Sequence, residues 1–176
     1  MPASLNLVTV LEKLRKNSHL GKHKHFAAAD RNKRYDYIFT ISIILINFSI
    51  AIAHMGSIGK EMEKWITYSI SIASVLAVLM AGFEFRFNFS KIFETHRRIG
   101  NKYLKLAREC EQEIALYQDG RINDQQFQHV TEELNKRYND INEDAESFPT
   151  NQSDYKKALA IETAKRQTIN IQSPQP

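Results

Sequence analysis

Two stretches of the chain carry no Asp, Glu, Lys or Arg. They are Ile38–Met55, IFTISIILINFSIAIAHM, and Trp65–Phe83, WITYSISIASVLAVLMAGF, of 18 and 19 residues. At about 1.5 Å of rise per residue, each makes a helix of roughly 27–29 Å, close to the hydrocarbon thickness of a bilayer. A core helix of a water-soluble protein usually keeps a polar face, and neither stretch has a charge anywhere around its wheel. The ends carry the rings and charges that suit a membrane interface. Arg34, Tyr35 and Tyr37 precede the first stretch, Trp65 and Tyr68 open the second, and Glu84, Arg86 and the aromatic run to Phe89 close it.

Only nine residues, Gly56–Lys64, separate the stretches. The two helices must therefore return side by side, with both termini on one face of the membrane. Lys22, Lys24, Arg31, Lys33 and Arg34 flank the first helix, and Arg86, Lys91, Arg97, Arg98 and Lys102 the second. In the loop, Lys60 and Lys64 are offset by Glu61 and Glu63. The positive-inside rule puts both termini in the cytoplasm. The remainder is polar: charged residues make up 25% of the chain and the net charge is +4. That mild excess suits a membrane-facing surface as well as it would nucleic acid, and no direct nucleic-acid partner is expected. The leader behind which the first apolar run begins is read as part of the mature protein, since no small-residue cleavage pattern follows a short apolar core. The single cysteine, Cys110, excludes an internal disulfide.

After the second span, Phe89, Ile92, His96, Ile99, Tyr103, Leu106 and Cys110 recur at steps of three and four, continued by Ile114 and Tyr117. This heptad-like stripe predicts a long cytoplasmic packing helix, ended by Asp119-Gly120. Asn123 or Asp124 caps a second helix with the stripe Phe127, Val130, Leu134, Tyr138, Ile141 and Ala145, which stops before Phe148-Pro149. The expected organisation is all-α. It comprises a cytoplasmic amphipathic and basic leader (1–37), a two-helix transmembrane hairpin (38–83, spans 38–55 and 65–83), a cytoplasmic helical hairpin (84–150), and a weak helix near 153–166 with a disordered tail (151–176). Leu7, Val10, Leu11 and Leu14 give the leader its own stripe, expected to pack on the cytoplasmic helices.

The leader ending GKHKHFAAADRNKRYDY, the hairpin, and the juxtamembrane helix FRFNFSKIFETHRRIGNKYLKLARECEQEI together resemble the SLATT family of two-transmembrane bacterial proteins. The matching points are His25–Ala29, then His96, Tyr103, Leu106 and Arg108, followed by the KRYNDINEDAESFP continuation. The resemblance spans roughly residues 15–160. It implies an inner-membrane effector of a bacterial conflict system. Such an effector is triggered by a nucleotide-producing or nucleotide-sensing partner, and acts in abortive infection by oligomerising and permeabilising the membrane.

Thr40, Asn47 and His54 share one face of the first span, and Thr67, Ser71 and Ser74 one face of the second. They line a water path if the protein oligomerises; otherwise they are packing contacts between helices. An Asn47 amide near the bilayer centre is expected to seek a partner across an interface. His19, His23 and His25 interleave with Lys22 and Lys24, which repel a cation. They are read as a basic patch for anionic headgroups, not as a metal site. Arg97 and Arg98 beside His96 are read as juxtamembrane charge over phosphate recognition. GSIGK lacks the spacing of a phosphate-binding loop. No catalytic arrangement, metal cluster or cofactor site is expected, so the chain is not read as an enzyme. The rival readings are a passive membrane-anchored helical scaffold and, more weakly, a holin.

Overall fold

The computed structural model describes residues 3–55 and 60–172. Among these, all regular structure is α-helical: α1 (Ala3–Met55), α2 (Lys60–Phe87), α3 (Phe89–Gln118), α4 (Asp124–Glu146) and α5 (Gln152–Gln172). The helices divide between two compact units. One joins Met1–Asp30 to Glu94–Pro176, and the other is Arg31–Phe93. The leader and the first span are thus one uninterrupted helix, and α5 runs past the 153–166 expected for it.

The first unit is a helical bundle built on a conventional apolar core. Leu11 and Leu14 from α1 meet Ile99, Tyr103, Leu106, Cys110 and Ile114 from α3 and Phe127, Leu134 and Ile141 from α4. Leu7, Leu11 and Leu14 of the leader stripe therefore pack on the helical hairpin, whereas Val10 is exposed. Two glycines allow α1 and α3 to approach closely. A Cβ on Gly100 would lie 2.5 Å from the Phe26 ring, and one on Gly21 would lie 3.0 Å from the Tyr103 ring. Ala27, Ala28 and Ala29 are buried in the same unit, so the His-Phe-Ala-Ala-Ala run is a small-residue packing face.

Each bundle turn has a local chemical stop. Gly120 at φ 72 ends α3, with Arg121 N–H donating to the Leu116 carbonyl at 3.0 Å in a Schellman turn. Asn123 and Gln126 form a reciprocal capping box that starts α4. Asn151 and Asp154 do the same for α5 at 2.9 and 3.0 Å, with Asp154 fully buried. Tyr117 stacks on Phe127 at 4.2 Å, closing the α3–α4 turn.

The second unit inverts this pattern. Its apolar residues face outward: Ile41, Ile44, Leu45, Phe48 and Ile52 of α1 and Ile72, Val75, Val78 and Leu79 of α2 are all at least half exposed. The most apolar windows of the two chain segments are 0% and 6% buried, unlike the mostly buried core helices of a soluble fold. The packed seam is narrow. Ser42, Ile43, Ile46 and Ile50 of α1 form one half, and Ile66, Ile70, Ala73, Ala77 and Met80 of α2 the other.

Asn88 separates α2 from α3. It adopts φ 45, a left-handed conformation that asparagine tolerates better than most residues. Its N–H still donates to the Glu84 carbonyl at 2.7 Å, completing α2. Its side-chain Oδ1 accepts from Lys91 N–H at 3.1 Å, starting α3. One residue is thus the stop of one helix and the cap of the next. Next to it in the chain, Phe89 stacks on Phe87 and Phe39 and meets Tyr35 at a tilt, with ring centroids 5.4–5.7 Å apart.

Candidate functional site

The membrane unit places the six polar residues of the two spans unequally. Thr40 is half-buried and donates to Glu84 Oε1 at 3.1 Å, tying α1 to α2. Asn47 is exposed, and its Nδ2 donates to the Ile43 carbonyl one turn back at 2.8 Å. Ser71 is exposed and bonds the Thr67 carbonyl at 2.9 Å; Ser74, half-buried, bonds that of Ile70 at 2.8 Å. Thr67 is exposed. The side chain of His54 lies outside the described residues. One N–H of the Asn47 amide thus finds an acceptor within its own helix. The sequence could not reveal this, because any Ser or Asn in a helix has the carbonyl four residues back within reach.

Helical geometry relates these residues to each other. At about 100° per residue, Thr40 and Asn47 lie roughly a quarter turn from the middle of the packed face of α1, toward higher residue number. Thr67 and Ser74 lie roughly a quarter turn from that of α2 in the same sense, and Ser71 somewhat further. The chain returns antiparallel, so equal rotations in the same sense fall on the same side of the hairpin. The two rows therefore flank the seam together, with the exposed Ser49 and Ser69 on its other side.

The bundle holds a second cluster. His25 on α1 and His96 on α3 are both buried, with their Nδ1 atoms 3.0 Å apart. One ring must therefore donate while the other accepts. Tyr103 lies 5.8 Å from His25 and Phe148 lies 6.2 Å from His96, centroid to centroid. Burial first, then His96 and Lys24, push the His25 pKa down to about 4, so near neutrality the ring is uncharged. The Tyr103 hydroxyl donates to Asn142 Oδ1 at 2.6 Å, and burial pushes its pKa up to about 12. His25, distant in sequence, thus joins His96 and Tyr103 in one node that, through Asn142, holds α1, α3 and α4 together. Leu106 is buried beside it in the core, and Arg108 is exposed.

The histidines do not form the headgroup-facing patch expected of them. His19 contacts Glu111 at 3.4 Å, His23 contacts Glu162 at 3.3 Å, and His25 is buried against His96. The lysine interleaving suggested an exposed basic surface; the acidic partners on α3 and α5 turn the rings inward instead. The six residues expected to form the packing stripe divide between the units. Phe89 and Ile92 are half-buried in the membrane unit, whereas His96, Ile99, Tyr103 and Leu106 are buried in the bundle. Burial pushes the Cys110 thiol up to about 12, leaving it an inert part of the core. Among the described residues no cluster of three or more metal-ligating side chains occurs.

A bundle of helices joined to a pair of long helices with outward apolar faces defines a two-span α-helical membrane protein. Residues 17–170 match the family of SMODS and SLOG-associating 2TM effector domains, family 4. The chain belongs to that family, and membership makes it a membrane effector of the conflict-system type. No curated protein and no solved structure gives a significant match.

Proposed function

We propose that the protein is an effector of the bacterial inner membrane, with both termini cytoplasmic, that assembles into homo-oligomers and permeabilises the membrane. A nucleotide-signalling or related anti-phage partner triggers it. The observation that supports this most is the polar row on one side of the hairpin, Asn47 with Thr67, Ser71 and Ser74. Two spans cannot enclose a water path. Several hairpins with that side turned to a common axis can. The bundle reads as the part that receives the signal, since it has its own core and caps.

Asn47→Leu is expected to insert normally, because Leu is cheaper than Asn in hydrocarbon. Dye leakage from liposomes and toxicity on triggered expression should both fall while membrane abundance stays level. Thr67→Val and Ser71→Ala should give smaller losses. Unchanged leakage in all three would favour the scaffold reading, which has its own support: Asn47, Ser71 and Ser74 each donate to a carbonyl of their own helix, which lowers the cost of facing lipid. For orientation, Ser57→Cys in a Cys110→Ser background should label from outside intact cells and Ser173→Cys should not.

A further inference from the structure

The helix α5 shares the bundle with α1, α3 and α4 but not their core. The apolar cluster draws its buried members from those three helices, and α5 supplies none among the described residues. Its own buried residues are Asp154 and Ala158, both at 0% exposure, whereas Tyr155, Leu159 and Ile161 are exposed. Asp154, Ala158 and the half-buried Glu162 follow at four-residue steps, so α5 rests on the bundle along one narrow edge. The pairs Arg15–Glu111 and His25–His96 set α3 antiparallel to α1, and the turns at 119–123 and 147–151 reverse the chain twice more. α5 is therefore antiparallel to α1 as well. Glu162 meets His23 at 3.3 Å. One turn back from Glu162 is Ala158 and one turn on from His23 is Ala27, which places the two alanines side by side. Ala27 lies roughly 160° around α1 from the core row Leu14, Ser18 and His25, yet it is buried. The core does not reach that side of α1, so its cover is α5.

The grip of α5 is uneven along its length. Its first turn is secured by the reciprocal bonds of Asn151 and Asp154. Farther on, Ala158 contributes a single methyl group, a small fraction of the apolar area of a core leucine. Glu162 Oε1 lies at ion-pair distance from His23 but out of hydrogen-bond alignment, and it makes no hydrogen bond among the described residues. Lys165 then adds like charge. Burial first, and then Lys165, hold the Lys22 ammonium below its usual 10.5, although Glu162 attracts it. A helix secured at one end and loosely seated along the rest opens locally at low cost. We propose that α5 is a strap, pivoting at Asn151, whose distal half covers the His23–Ala27 face of α1, and that its release frees this face for assembly with further copies. The face belongs to the same uninterrupted helix as the first span, and its small side chains let another helix approach closely. The proposal rests on the assembly step of the function proposed above and not on permeabilisation.

The test uses the full chain in detergent, with amide hydrogen exchange read helix by helix and mass followed by light scattering. In the wild type, α5 amides beyond Ala158 should exchange at least about tenfold faster than those of α3 and α4. Glu162→Lys sets a third cation beside Lys22 and Lys165. It should speed α5 exchange by a further factor of about ten, leave α3 and α4 unchanged, and raise the oligomeric fraction. Lys22→Glu/Glu162→Lys restores the attraction with the charges exchanged and should return both readouts to wild type. A second approach holds the strap down. His23→Cys/Glu162→Cys in the Cys110→Ser background, bridged by a short bismaleimide, should assemble less than the same chain left unbridged. Distal α5 amides as slow as those of α3 in the wild type would overturn the strap. So would a freed α5 with unchanged mass, or equal assembly of the bridged and unbridged chains. Leakage from liposomes separates this idea from the functional one. Assembly gained by Glu162→Lys without leakage keeps the strap and removes permeabilisation, whereas leakage gained at unchanged mass does the reverse.

Discussion

The two units solve opposite problems with the same helix. In the bundle, Leu11, Ile99, Leu106 and Phe127 are buried at 2% exposure or less, and charge lies outside. In the hairpin, Phe48, Val78 and Leu79 are more than half exposed, and the hydrogen bond between Thr40 and Glu84 is tucked between the helices. The helix α1 passes from one regime to the other without a break. Water drives apolar side chains inward in the bundle. In the hairpin the surrounding lipid removes that drive, and contact between helices is left to small residues such as Ala73 and Ala77 and to polar links. The same substitution should therefore have different consequences in the two units.

The largest contrast is expected for leucine truncation. Leu106→Ala removes a fully packed core side chain and should cost about 2–5 kcal/mol of bundle stability. Leu79→Ala removes a side chain that meets lipid. It should leave the bundle's melting unchanged and weaken insertion by about 0.3–0.6 kcal/mol. Thermal unfolding in detergent measures the first, and the membrane fraction on expression the second. Equal melting losses in both variants would mean that the hairpin has a core of its own and would break the contrast.

Glycine substitution gives a smaller effect of opposite sign in the two units. A Cβ at Gly100 meets the Phe26 ring at 2.5 Å, whereas a Cβ at Gly82 meets nothing within 4 Å. Gly100→Ala should destabilise by about 1–3 kcal/mol through overpacking. Gly82→Ala should stabilise its helix by about 0.5–1 kcal/mol. Helical content during thermal melting reports both. A stabilising Gly100→Ala would show that Phe26 can move aside and that the close approach of α1 to α3 is not required.

Those glycines also show what was legible in the sequence. The spans could be read because a charge-free window is a property of composition alone, and the α3 stop and α4 cap because Gly120 and Asn123 act locally. In the sequence Gly100 is only a glycine within a helical stripe; its purpose depends on Phe26, which arrives from α1. Asn88 was hidden for a related reason. It sits in an aromatic run with no Gly or Pro, and its left-handed backbone and dual capping role become evident only in three dimensions. The polar residues of the spans were legible as rows. Their bonds back to Ile43, Thr67 and Ile70, and the tie from Thr40 to Glu84, depend on rotamers and on the partner helix.

Acid should separate the units by a smaller margin. His25 carries an ordinary pKa of 6.5 when unfolded and about 4 in the bundle. Between those values the unfolded chain binds a proton that the folded chain refuses, so bundle stability falls as pH drops from 6.5 toward 4 and this contribution levels off below. The groups that face the ring are His96 and Tyr103 from α3 and Lys24 from its own helix, and none supplies a negative charge to rescue the cation. Asp144 acts in a separate window. The hydrogen bond and charge of Lys102 hold its carboxyl below the usual 3.8, so its contribution is present above that value and is lost only at lower pH. It is exposed, and its share is therefore slight. Melting followed from pH 7.5 to 5 thus separates the histidines from Asp144. His23, whose pKa is also lowered, first by burial, adds to the same slope, so the His25 share is the part that His25→Gln removes. His25→Gln keeps a side chain able to bond His96 and removes the titration, and it should flatten the slope of melting temperature against pH. A slope identical to wild type would place the acid-sensitive group elsewhere and would mean that the His25 ring accepts its proton as readily in the bundle as in water.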